Sequence, residues 1–173
     1  MNEYTEWLRM FFETLPTRDM MLDTRWAWPI CESIHFIGLT LLIGTVGMFD
    51  LRLLGIGKQI APAQLHRLIK FGVAGFVGNV LTGICFLSGA PDQYIYNMAF
   101  RWKLVFLAVA GLNILVFYSA LFRKVRVLGP GASIPPAARL VGAVSLSAWM
   151  GVITAGRLLT FYRPIFMGGE WVF

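Results

Sequence analysis

Four long apolar stretches constrain this chain more than any other feature. Residues 71–91, 104–122 and 140–156 contain no Asp, Glu, Lys or Arg, and 26–54 is apolar apart from Glu32, His35, Asp50 and Arg52. A helix needs about 20 apolar residues to cross roughly 30 Å of hydrocarbon. In lipid every backbone N–H and C=O must be satisfied within the protein, so isolated apolar runs of this length form helices. The expectation is an all-α fold, a four-helix transmembrane bundle. Composition agrees: 57% of residues are hydrophobic and 14% charged, against about 25% charged in soluble domains.

Breakers set the boundaries. The predicted spans are about 28–54, 63–89, 99–127 and 137–162, within a bundle of 26–164 and followed by a short tail, 165–173. Pro62, Pro91 and the run Gly129–Pro136 punctuate the connections. The first 25 residues carry eight charged side chains and lack the uninterrupted apolar core of a cleaved signal. Trp7, Leu8, Phe11, Phe12 and Leu15 recur at helical spacing opposite the acids. Segment 1–25 therefore reads as an amphipathic helix at the membrane interface, stopped by Pro16.

The net charge of +6 speaks of topology rather than nucleic acid. Arg52, Lys58, Arg67 and Lys70 flank the first connection, and Arg123, Lys124, Arg126 and Arg139 the third. The positive-inside rule makes those connections cytoplasmic. Both termini then face the periplasm or cell exterior, in a bacterial inner (cytoplasmic) membrane.

Ionisable groups inside the hydrocarbon are costly and mark sites by default. At 1.5 Å per residue, Glu32 and His35 lie one to two turns from the outer face. Lys103 opens the third helix and Arg157 closes the fourth at that face, so these four side chains converge at similar depth. One reading is structural: Glu32 pairs with a basic residue and His35 bonds a carbonyl. The other makes His35 an axial ligand of haem b, with Lys103 or Arg157 meeting a propionate. His66 stands roughly 25 Å from His35 by helix rise, too far to share an iron. Asp50 and Arg52 read as a carboxylate–guanidinium anchor, and Asn79 and Asn113 as interhelical hydrogen-bond partners. Cys31 and Cys85 lack CxxC spacing, so neither a disulfide framework nor a thiolate metal site is suggested, and each reads as a small buried hydrophobe. On the fourth helix Ala143, Ser147, Gly151 and Ala155 suggest a packing stripe; on the second, Gly72, Gly75, Gly78, Asn79, Thr82 and Gly83 make a broader small face.

Four strings carry a resemblance: Trp28-Pro-x-x-Glu32-x-x-His35-Phe-x-Gly38, Gly47-x-x-Asp50-Leu-Arg-Leu-Leu-Gly55, Asn97-x-Ala-Phe-x-x-Lys103 and Gly156-Arg157-Leu-Leu-Thr-Phe-Tyr-Arg-Pro164. Together they resemble an uncharacterised family of small bacterial four-helix membrane proteins, a domain of unknown function. More remotely the layout is similar to HemJ-type oxidase and CopD-type copper-export membrane domains. The HemJ resemblance implies a haem b ligand at His35 and a functional lysine at Lys103. The histidine that the HemJ group carries later in its third helix has no counterpart in Leu115-Val-Phe-Tyr118.

The sequence thus gives an integral membrane protein whose expected role is a non-catalytic subunit or oligomeric scaffold in a lipid bilayer. Two alternatives stand beside it: a haem b-binding redox protein built on His35, and a small proton-coupled or metal transporter using Glu32 and His35.

Overall fold

A computed structural model describes residues 3–161, all of its regular structure helical. Helices α1 (Glu3–Glu13) and α2 (Thr17–Asp23) precede the bundle. The first span is α3 (Ala27–Leu54); the second combines α4 (Pro62–His66) and α5 (Ile69–Gly89). Helix α6 (Pro91–Ile95) leads into the third span, made of α7 (Met98–Val116), a π-helical turn Phe117–Leu121, and α8 (Phe122–Val125). Helix α9 (Pro136–Leu158) is the fourth. All four spans are long and apolar enough to cross a membrane. This is a multi-pass membrane protein. The predicted tail 165–173 and the end of the fourth predicted helix lie outside the described residues.

The spans pack in the order α5–α3–α9–α7. Helix α3 lies closely along α5 and touches α9, while α7 lies along α9. Helices α5 and α7 do not pair closely; both border a shared cavity, which all four spans line. Lipid offers no hydrophobic drive for association, so close approach depends on small residues. At the α3–α5 seam a Cβ added to Gly38 would lie 2.7 Å from the Gly75 carbonyl oxygen, and one on Gly75 would strike the Gly38 carbonyl. These backbones touch because neither residue has a side chain. Asn79 adds hydrogen bonds across the same seam, donating to the His35 carbonyl at 2.7 Å and accepting from Leu39 N–H at 3.2 Å. Asn113 donates to the Val141 carbonyl at 3.0 Å between α7 and α9.

Helix α9 corrects the predicted stripe. Its buried face is Ala138, Val141, Gly142, Ser145, Ala148, Trp149, Val152 and Ala155, whereas Ser147 is exposed. A four-residue repeat advances about 40° per step on a 3.6-residue helix. The stripe from Ala143 to Ala155 therefore winds off the packed face. Only its last members stay inward, with Gly151 close to the Phe106 ring.

The end bearing the first and third connections is held by Arg52, which is 1% exposed. Its Nε donates to the Ile60 carbonyl at 2.7 Å and an Nη to Ala132 at 3.4 Å, so one guanidinium ties both connections together. Gly131 N–H donates to the Lys58 carbonyl at 2.7 Å beside it. The expected Asp50–Arg52 contact does not form. These side chains are two residues apart and so leave the helix on different sides: Arg52 reaches the loops and Asp50 the bundle interior. Gly55 closes α3 at φ 100°, a left-handed turn that glycine adopts without steric cost.

At the opposite end, the N-terminal segment is two helices rather than one. Arg9 of α1 pairs with Asp92 of α6 at 3.0 Å, and the Tyr96 hydroxyl donates to Glu6 at 2.9 Å. Helix α2 is fastened to the end of α5 by Thr17, whose hydroxyl donates to Ser88 Oγ at 2.8 Å, and by Arg18, which donates to the Ser88 carbonyl at 3.1 Å.

Candidate functional site

Polar groups inside the bundle fall at two levels. The first is the predicted cluster near the α6 end. His35 Nδ1 lies 2.7 Å from Thr82 Oγ1 across the α3–α5 seam. Thr82 donates its single hydroxyl proton to the Gly78 carbonyl at 2.8 Å. It can only accept from His35, so the proton sits on Nδ1 and the Nε2 lone pair is uncommitted. The imidazole rests near Phe86, ring centroids 5.6 Å apart. Lys103 of α7 is close enough to act electrostatically on His35, and its Nζ lies 3.8 Å from where a Cβ on Gly156 would stand.

The other two predicted members sit elsewhere. Glu32 is exposed and acts on Tyr94 of α6, whose phenol is held up at about 12 by burial first and then by that negative charge. Arg157 is exposed and lies over the Phe161 ring at 5.6 Å. Of the four, Lys103 is the one that acts on His35, while Glu32 and Arg157 are exposed.

The second level is a cavity of about 240 Å³ between α5 and α7. Its wall is mostly aliphatic and aromatic: Leu42, Val46 and Phe49 from α3, Ile69, Val73 and Phe76 from α5, Leu107 and Ala110 from α7. Five polar side chains interrupt it, Asp50, Asn113, Tyr118, Ser145 and Trp149. Asn113 is satisfied by Val141. Ser145 stands beside the Asp50 carboxyl. Asp50 Oδ2 and Trp149 Nε1 are both buried with no hydrogen-bond partner within the protein, on residues 4% and 5% exposed. A buried donor or acceptor left unpaired costs about 1–3 kcal/mol. Both residues line the same apolar space, and these two atoms sit within its wall without a partner.

The cavity opens toward lipid, since its rim includes Val73 of α5 and Ile114 and Tyr118 of α7, all exposed. Near the Arg52 end, the His66 and Tyr118 side chains meet at 3.0 Å (Nε2 to hydroxyl), with Phe122 and Phe49 around the imidazole. His66 is thus part of a packed aromatic group. The π-helical turn begins at Phe117 and contains Tyr118, both cavity residues. Such turns insert one residue into an α-helix and recur at functional sites.

Sequence reasoning missed this second level. The signal was present in Asp50, a carboxylate inside an apolar run, but adjacency in sequence assigned it to Arg52. Trp149 carried no signal, because only packing shows whether an indole N–H finds an acceptor.

Neither the curated proteins nor the solved structures yield a match to this chain. No likeness to HemJ-type or CopD-type domains is among the findings. The model of one family, described only as a family of unknown function, matches residues 26–162, which hold all four spans, the His35–Lys103 cluster and the cavity. The chain therefore belongs to that family, DUF6644.

Proposed function

We propose that this protein is a membrane-embedded binding subunit that takes a small, largely apolar molecule from the bilayer into the cavity between α5 and α7. The observation that carries this reading is the pair of unpartnered buried groups on the cavity wall, Asp50 Oδ2 and Trp149 Nε1. The ligand class follows from them: a hydroxyl or amine to meet the carboxyl, a carbonyl or ether oxygen to accept from the indole, and an apolar body between. Pockets for drug-sized molecules span about 300–1,000 Å³. A volume near 240 Å³ suits a single ring system, or the ring end of a longer lipid whose tail stays in the bilayer.

Gly111 supplies the test. It lines the cavity, and a Cβ built there meets nothing within 4 Å. Gly111→Leu therefore adds a side chain at the cavity wall whose Cβ has open space. Native mass spectrometry of protein released from membranes should show a retained small molecule in the wild type, lost in Gly111→Leu and in Asp50→Asn. A wild type that carries only phospholipid, equally in all three proteins, overturns the proposal. The same spectra report whether the subunit assembles with copies of itself.

A second reading, haem b on His35, is favoured by one observation: the Nδ1–H tautomer set by Thr82 leaves Nε2 free, the arrangement found in metal-ligating histidines. Lys103 would then face a propionate. A Soret band in the purified protein, abolished by His35→Ala, supports it; a colourless preparation reconstituted with haem and still without that band removes it.

A further inference from the structure

Three sulfur-bearing side chains from three separate helices gather at the α6 end of the bundle, next to the His35 cluster across Phe86. Helix α2 supplies Met21, 2% exposed, and α3 supplies Cys31, 7% exposed. Cys85 of α5 packs against them, with Trp28 and Phe86 closing the surroundings. Met21 Sδ and Cys31 Sγ are 3.8 Å apart, and Cys85 is the neighbouring thiol that acts electrostatically on Cys31. Both cysteines are free. Read along the sequence, these thiols are 54 positions apart (85 − 31) and separate; the close α3–α5 seam is what brings them together.

We infer that Met21, Cys31 and Cys85 form a binding site for a soft monovalent cation, Cu(I). Metal–sulfur bonds are about 2.3 Å long, so three sulfurs placed trigonally around one ion stand ~4.0 Å apart. The Met21–Cys31 separation needs almost no adjustment to meet that distance. Thiolate and thioether ligands select Cu(I), whereas Mg²⁺, Ca²⁺ and Mn²⁺ require oxygen. Zn²⁺ takes four ligands in its structural sites. Among the described residues no group of three or more His, Cys, Asp or Glu side chains offers such a set. Binding one Cu(I) forms two Cu–thiolate bonds and one Cu–thioether bond and releases two protons, giving a site of net charge −1. Arg18, fixed to the Ser88 carbonyl three residues beyond Cys85, supplies positive charge at the same end. Met21 rides on α2, so the third ligand arrives only when α2 docks on α5.

The test is Cu(I) titration of the purified, reduced protein against bicinchoninate, with Ag(I) as a redox-inert probe of the same site. One ion per chain is expected. X-ray absorption should find three sulfur neighbours at about 2.3 Å. Replacing a group that hydrogen-bonds a metal ligand costs about 10–100-fold in metal affinity, so loss of a ligand itself in Cys31→Ser should cost at least about 100-fold. Met21→Leu conserves volume in the packed site and should fold as the wild type does, yet weaken binding about tenfold and reduce the sulfur count to two. Absence of stoichiometric uptake, or uptake unchanged in Met21→Leu and Cys31→Ser, overturns the site. So does recovery of Cys31 and Cys85 as a disulfide that, once reduced, binds no Cu(I).

Discussion

Gly75 and Gly78 lie one turn apart on α5 and make a matched pair. A Cβ on Gly75 would strike the Gly38 carbonyl oxygen and stand 3.0 Å from Leu41 Cβ; one on Gly78 meets nothing within 4 Å. The clash at Gly75 is with backbone, so relief requires the whole α3–α5 seam to open. Overpacking costs about 1–3 kcal/mol, and a backbone obstacle places this case near the top, ~2–3 kcal/mol. Replacing a helical glycine by alanine returns about 1 kcal/mol. Gly75→Ala should therefore lose ~1–2 kcal/mol net, while Gly78→Ala gains ~1 kcal/mol. For a chain of this size each kcal/mol moves the melting temperature by about 2–4 °C. In one detergent, Gly75→Ala should melt ~2–8 °C below the wild type and Gly78→Ala ~2–4 °C above it. Two variants shifted in the same direction would refute the claim that contact between the Gly38 and Gly75 backbones builds the seam.

Other parts of the structure make equally separable predictions. Gly111→Leu should raise stability modestly, since it fills apolar space and removes a helical glycine, with an expected gain of ~1 kcal/mol in thermal melts; a loss of that size would show that the cavity closes in the membrane. Asn113→Leu removes one interhelical hydrogen bond and should cost about 0.6–2 kcal/mol, the range for such bonds in membranes, with no change at the α6 end. Arg52→Met strips both loop carbonyls of their donor and should increase proteolysis in the first and third connections together, not in one alone. For Tyr94 the ordinary phenol value near 10 is raised to about 12. Between those values the unfolded chain ionises this residue while the folded one keeps its proton, so stability falls as pH rises through that window and is intact below it. Ultraviolet titration should show a phenolate forming near pH 12 that is absent in Tyr94→Phe, and that variant should melt with a shallower loss above pH 10.

The bundle was legible because lipid imposes a simple rule on long apolar runs, and the four stretches obey it. Helix α9 shows where that legibility stops. Small residues four apart look like a seam in sequence, yet the helix period turns them off the face that packs. Whether α5 would lie against α7 was not legible at all, since the open side of the row depends on which seams close first. The candidate site divides the same way. His35 and Lys103 were marked by their charge and helix ends, and in the structure Lys103 acts on His35; Glu32 and Arg157 shared the depth but are exposed, which only side-chain packing sets. Asp50 announced itself and was paired with the wrong neighbour. Cys31, Cys85 and Met21 gave no signal, because their meeting requires α2 to fold back onto α5.

The central claim is that the α5–α7 cavity holds a ligand between Asp50 and Trp149. Its most direct test is a density map of the wild type in discs of its native membrane lipids, at a resolution that separates a ring from an acyl chain. Compact density that touches the Asp50 carboxyl at one end and the Trp149 indole N–H at the other is the predicted result. A cavity filled by α7 collapsing onto α5, or by a lipid tail that contacts neither group, would contradict it.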